Sequence, residues 1–200
     1  MFTGIIHSLG NITACSPLNG GLDVWIQVTK PSIISNTGDS ISVNGVCSTI
    51  IESTENSFRV HYLEETLKKS NFSSLQEGDV VNLEPAMTLK SLIGGHLVSG
   101  HVDAVGSIVR LKQGDPWGEI SVQFDPSFAE LIVEKGSICM DGISLTLVDI
   151  STDTFTCHLI PHTFAETILQ YKQPSDTVNL EFDLVGKYIL RRETLKHDKR

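Results

Sequence analysis

Val81-Asn82-Leu83-Glu84 recurs unchanged as Val178-Asn179-Leu180-Glu181, 97 residues further along the chain. Working back from these tetrapeptides, residues 38–84 fall on residues 135–181 without a gap, and 13 of the 47 positions are identical. The identities include Ser40/Ser137, Ile41/Ile138, Gly45/Gly142, Phe58/Phe155, His61/His158 and Thr66/Thr163. Nearer the start, a shift of 96 sets Thr3-Gly4 on Ser99-Gly100 and Gly10 on Gly106. Solenoid repeats run to about 50 residues, so a period near 97 describes a domain copied in tandem. The copies are assigned to residues 1–93 and 94–184, leaving residues 185–200 without a counterpart.

Each copy reads as strands. Polar and apolar residues alternate over 23–28, 40–43 and 57–60, and again over 120–124, 138–150 and 154–160. Asn44-Gly45 and Asp141-Gly142, flanked by apolar residues, mark hairpin turns. Helical patterns are short: 63–70, 127–134 after Pro126, and 163–169. Short strands with frequent turns over about 90 residues suit a compact β-barrel, so the expected fold is all-β, two tandem barrels placed close together by a short link at 87–95. After Asp183 the alternation stops, and residues 184–195 form an amphipathic helix that either docks on its own barrel or packs against copies of itself.

Composition excludes several functions. Residues 1–22 hold no Asp, Glu, Lys or Arg, but Gly, Asn, Ser and Pro interrupt them, so they read neither as a membrane span nor as a secretory signal. A cytoplasmic protein with no membrane partner is expected. The net charge is −9, and residues 185–200 carry six basic against two acidic residues, so the remaining body stands at −13 and would repel nucleic acid. Cys15, Cys47, Cys139 and Cys157 show neither C-x-x-C nor zinc-module spacing, which points to no metal, no disulfide and, except at Cys47, buried small side chains. No G-x-G-x-x-G, Walker or G-x-S-x-G pattern is present.

Matched positions that differ between the copies locate the chemistry. Cys47 faces Ser144, Glu64 faces Pro161 and Glu65 faces His162, among shared Thr49/Thr146 and His61/His158. Two pockets built alike but equipped differently would hold two similar small molecules in distinct roles. Ser144 and Thr146 alternate with Leu145, so both hydroxyls lie on one face of a strand. In Gly94-Gly95-His96-Leu97-Val98-Ser99-Gly100-His101-Val102-Asp103, the glycines allow close backbone approach. As a strand, this segment would point its two histidines to opposite faces, so they do not form a chelating pair. His96, a lone histidine, reads as structural, and His101, beside Gly100 at the start of the second barrel, as a proton-transfer candidate.

These residues resemble riboflavin synthase. The likeness is carried by Met1-Phe2-Thr3-Gly4-Ile5, Val43-Asn44-Gly45-Val46-Cys47, the Gly-Gly-His and Gly-His-Val-Asp steps at 94–103, Asp141-Gly142-Ile143-Ser144-Leu145-Thr146, and Leu159-Ile160-Pro161-His162-Thr163. The resemblance implies two six-stranded Greek-key barrels and a C-terminal helix that assembles a homotrimer. It also implies a reaction without cofactor or metal. Two molecules of 6,7-dimethyl-8-ribityllumazine exchange a four-carbon unit, giving riboflavin and 5-amino-6-ribitylamino-uracil, where barrels of neighbouring subunits meet.

Carried onto this sequence, the family's first pocket would be lined by Gly4, Ile5 and Ile6, by Cys47, Ser48 and Thr49, and by His61, Tyr62, Leu63, Glu64, Glu65 and Thr66. The second would use Gly100, His101 and Val102, Lys135, then Ser144, Leu145 and Thr146, and Leu159, Ile160, Pro161, His162, Thr163 and Phe164. Candidate catalytic groups are Ser144, polarised by Asp183, with His101 and Cys47 as proton carriers or nucleophiles. Family members commonly carry Leu where Ser48 stands. If Ser48 faces away from the pocket, only packing changes. If it lies under the ligand, affinity does. The alternative is a non-catalytic lumazine- or flavin-binding protein. Lumazine proteins of luminous bacteria resemble the family but lack the pattern kept here at His96 and His101.

Overall fold

Two closed antiparallel barrels of six strands each account for most of the chain in the computed structural model, which describes residues 1–30, 33, 36–114 and 116–197. The first comprises β1 (Ser8–Leu18), β2 (Gly21–Val28), β3 (Ser40–Val43), β4 (Val46–Ser53), β5 (Ser57–Leu63) and β6 (Val80–Pro85), hydrogen-bonded in the order β1-β2-β5-β4-β3-β6. The second repeats that order with β7 (Ala104–Lys112), β8 (Gly118–Gln123), β9 (Ser137–Met140), β10 (Ile143–Ile150), β11 (Thr154–Leu159) and β12 (Thr177–Phe182). Even the irregularities are copied. Bulges at Ile12/Ala14 and Ile50/Glu52 reappear at Ile108/Arg110 and Leu147/Asp149. Alternate residues fill each interior: Ile41, Val43, Ile50, Phe58, Val60 and Leu83 in one, Ile138, Met140, Leu147, Phe155 and Leu180 in the other.

Asn44-Gly45 and Asp141-Gly142 form the expected turns, both residues of each at positive φ, and the 138–150 stretch divides there into β9 and β10. The other helical expectations shorten. The 63–70 pattern becomes α1 (Glu64–Lys69) followed by a 3-10 turn at Asn71–Ser74. The 163–169 pattern becomes α2 (Pro161–Glu166) followed by a 3-10 turn at Ile168–Tyr171. One hydroxyl makes each break: Ser70 Oγ donates to Thr66 O and accepts from Phe72 N, as Thr167 Oγ1 donates to Thr163 O and accepts from Leu169 N. Residues 127–134 form only a 3-10 turn, Pro126–Leu131, because Ile132 leaves it extended to enter the second core.

The repeated tetrapeptide joins the barrels. Asn82 Nδ2 donates to Asp141 O and Asn179 Nδ2 to Asn44 O, each at 2.9 Å. The side-chain oxygens of Asn82 and Asn179 accept from Ile168 N and Asn71 N, both at 2.8 Å. Glu84 and Glu181 grip the two opening segments: Glu84 accepts from Thr3 N and Gly4 N, Glu181 from Ser99 N, Gly100 N and His101 N. Those segments pair at Phe2 and Val98 and bury both residues with Cys139 between the barrels.

Residues 184–195 are helical as expected, within α3 (Leu184–His197), while 198–200 lie outside the described residues. Val185, Tyr188, Ile189 and Leu195 stay exposed in the single chain, so these four are not covered by the helix's own barrel, while Leu184 and Leu190 are half-buried. Among the described residues, no helix is long and apolar enough to cross a membrane.

Candidate functional site

Strand alternation decides which side chains a ligand can meet. On β4, Val46, Ser48 and Ile50 turn inward while Cys47 and Thr49 turn outward. On β10, Ile143, Leu145 and Leu147 turn inward while Ser144 and Thr146 turn outward. The matched hydroxyls and the thiol therefore lie on the outer wall of each barrel, beneath the opening segments.

The segments are exchanged relative to expectation. Gly4 O accepts from Ser144 N of the second barrel, and Gly100 O accepts from Cys47 N of the first, each at 2.8 Å. Ile6 packs on the second core and Val102 on the first. Gly4, Ile5 and Ile6 thus accompany Ser144, and Gly100, His101 and Val102 accompany Cys47, the reverse of the sequence-based grouping. The cause is the Phe2–Val98 pairing, which draws each segment across to the other barrel. Gly4 and Gly100 have φ of +77° and +82°, and a Cβ on either would lie 2.6 Å from the Cβ of Ser144 or Cys47. Only glycine permits the approach.

At the second barrel, Ser144 Oγ lies 2.7 Å from His96 Nδ1. His96, read from sequence as a lone structural histidine, is instead part of the site. The segment is irregular there, and a Cβ on Gly95 would sit 2.3 Å from Thr3 O and 2.7 Å from Ser144 Oγ. The Gly-Gly step before the histidine was the available signal. Burial pushes the His96 pKa below its ordinary 6.5, opposed by the negative charges of Asp183 and then Glu181. A neutral ring with its proton on Nε2 presents Nδ1 as an acceptor for the Ser144 hydroxyl. The sequence reading made Asp183 the polarising partner of Ser144. In the structure the hydroxyl bonds to His96, while Asp183 Oδ1 accepts from Val185 N at the start of α3.

Of the remaining second-barrel positions, Thr146 and Ile160 face outward and Leu145 and Leu159 inward, leaving the latter only backbone to offer a ligand. Pro161, His162, Thr163 and Phe164 open α2, with Phe164 packed partly on the core. Lys135 takes a left-handed turn before β9, φ +63°, where the first copy has Gly38. Its N–H donates to Leu147 O.

The first barrel carries a cavity of about 210 Å³ lined by Cys47, Glu65, Thr66, Lys69, His101 and Val102. His101 N donates to Glu181 Oε2 and to Ser99 Oγ, which fixes its backbone. His61 Nε2 stands 3.0 Å from Asp23 Oδ1, a carboxylate that Arg59 also grips through two nitrogens at 2.8 and 2.9 Å. That guanidinium holds Asp23 below the usual carboxylate range. Leu63 is exposed, and Glu64 pairs with Lys68 within α1. Ser48 and Tyr62 face the core, each 2% exposed, with their hydroxyls 3.0 Å apart. Ser48 therefore alters packing and does not lie under a ligand.

Residues 3–86 and 99–183 each match the lumazine binding domain family. A riboflavin synthase of Bacillus subtilis is 41% identical over 191 residues, covering 96% of this chain and 89% of that protein. The chain belongs to the riboflavin synthase family. Family members from Actinobacillus pleuropneumoniae and Mycobacterium bovis are 41% and 40% identical, covering 94% and 96% of this chain and 88% and 97% of theirs. Among solved structures, LumP complexed with riboflavin superposes with a TM-score of 0.85 at 21% identity, covering 92% of this chain and all of that one. LumP complexed with 6,7-dimethyl-8-(1'-D-ribityl) lumazine gives 0.82 at 20% identity, covering 90% and 98%. These two show the fold alone.

Proposed function

We propose that this chain converts two molecules of 6,7-dimethyl-8-ribityllumazine into riboflavin and 5-amino-6-ribitylamino-uracil by transfer of a four-carbon unit. The observation that carries the reading is the Ser144–His96 pair, a hydroxyl against a desolvated imidazole at 2.7 Å, set in a family whose curated members are enzymes. The reaction asks for removal of a proton from the 7-methyl group of one lumazine and addition of a nucleophile to the other. Ser144, with His96 as proton acceptor and Asp183 biasing that imidazole by its charge, equips one outer-wall pocket. Cys47 and His101 equip the other.

Thr49 and Thr146, with backbone amides nearby, suit the ribityl hydroxyls and the pyrimidine-dione edge. Residues 1–93 and 94–184 serve as the two ligand-binding units, each completed by the other's opening segment. Residues 185–200 serve as the assembly helix of a homotrimer in which pockets of adjacent subunits face one another, and the exposed apolar residues of α3 support that role. Stacking two lumazines in register supplies much of the rate through proximity.

The test is turnover by purified protein given the lumazine alone, with EDTA present. One riboflavin per two lumazines consumed supports the reading. A spectral shift without riboflavin moves the protein to the carrier class, and neither change overturns both.

A further inference from the structure

We infer that Lys187 is a positioning residue: through its ion pair with Asp103 it ties the first turn of α3 to the segment that delivers His96 and His101. The inference rests on the function proposed above. Asp103 Oδ2 meets Lys187 Nζ and also accepts from Phe182 N at 2.9 Å. Both side chains are mostly covered, at 22% and 24% exposure, so the pair is less open to solvent than a surface bridge. One residue before α3, Asp183 accepts from Val185 N while its charge acts on His96. The start of the helix is thereby bound to the Asp103 end of the histidine segment, and its Asp183 charge acts on the imidazole at the other end.

The first copy shows what is added. His7 occupies the place of Asp103: His7 N donates to Leu83 O as Asp103 N donates to Leu180 O. Among the described residues, β6 leads directly to β7 with no helix between them, and Glu84 grips Thr3 and Gly4 without a second clamp of this kind. The clamped segment also serves both pockets, since His96 reaches Ser144 while Gly100 O receives Cys47 N. A shift of residues 94–103 would disturb the two sites together. The helix that carries the exposed apolar residues is therefore the helix that sets the histidines.

The test compares K187M, D103N, the double variant and K187R with the unaltered full-length protein. K187M should lower kcat about tenfold with little change in KM, inside the about hundredfold that misplacing reacting groups by 1 Å can cost. D103N should do the same, the double variant should be no worse than D103N alone, and K187R should recover most of the rate. Histidine imidazole resonances should move in K187M while the sedimentation coefficient stays that of the unaltered protein. Unchanged kcat and resonances in K187M overturn the inference, as does a loss of rate that appears only with dissociation of the assembly. If the unaltered protein forms no riboflavin, the functional reading fails by itself, and the resonances still decide whether Lys187 positions the segment.

Discussion

The two barrels share strand order, bulges, turns and glutamate grips, and keep Thr49/Thr146 and His61/His158, yet their outer walls differ at Cys47/Ser144, Glu64/Pro161 and Glu65/His162. The first offers the Cys47 thiol beneath Gly100, and on its neighbouring strand His61 pairs with Asp23, a carboxylate that Arg59 also grips. The second offers Ser144 beneath Gly4, with a half-buried imidazole on its hydroxyl, and its carboxylate at the place of Asp23, Glu119, pairs instead with Arg110. Duplication kept what closes a barrel and joins it to its twin, and released the pocket walls to diverge. Two copies of one substrate in distinct roles require that combination.

The largest expected effect breaks the comparison at its most unequal point. S144A removes the hydroxyl bonded to His96 and should lower kcat by about a hundredfold or more, the usual scale of a lost proton-transfer partner. C47A, at the matched position, should cost less, because the imidazole of His96 bonds to the Ser144 hydroxyl and not to this thiol. Steady-state riboflavin formation by both variants checks this, and equal losses would mean the two pockets contribute alike.

A smaller effect is read against pH. Burial holds His96 below 6.5, so the imidazole stays neutral through neutral pH and loses its acceptor role as pH falls through that depressed value. The rate should therefore fall on the acid side of 6.5, and H96Q should flatten that limb. The same depression makes the folded protein bind this proton less readily than the unfolded chain. The associated stability is complete above the unfolded pKa and declines as pH drops through the folded one. A kcat profile between about pH 5 and 8 covers the range in which histidine normally titrates. An acid limb unchanged in H96Q would assign it to another group.

The repeat made the barrels legible because Val81–Glu84 and Val178–Glu181 lie on strands whose every position is constrained. Leu83 and Leu180 face the cores, Asn82 and Asn179 bond across the interface, and Glu84 and Glu181 grip the opening segments. The exchange of those segments was not legible. A 96-residue shift aligns Gly100 with Gly4 but says nothing about which barrel each visits, and Phe2–Val98 is one isolated bridge with no periodic signature. His96 was missed for a related reason: its role depends on an irregular backbone. Residues 127–134 read as a helix because Pro126 precedes them and Gly136 follows, while burial of Ile132 decides otherwise.

The smallest effect sharpens the comparison inside the barrels. Ser48 and Tyr62 share a buried hydrogen bond where the second copy has Leu145 and Leu159. Ser48 Oγ also lies 3.0 Å from Val46 O, so Y62F leaves no buried hydroxyl without a partner and should cost about 0.5–1.5 kcal/mol, the net worth of one hydrogen bond. S48A strands the Tyr62 hydroxyl in a fully covered site and should cost about 1–3 kcal/mol, although it removes only one oxygen. Urea midpoints of the two variants give the order, and KM should stay put in both, since neither side chain faces the outer wall. If Y62F proved the costlier, the expected order would be inverted and the stranded Tyr62 hydroxyl would not be the costly group, because the ring and its edge contact with Phe72 are kept in both variants. If KM rose in either variant, the barrel interior would be transmitting to the pocket through β4, and the separation of conserved frame from divergent wall would have to be redrawn at Cys47.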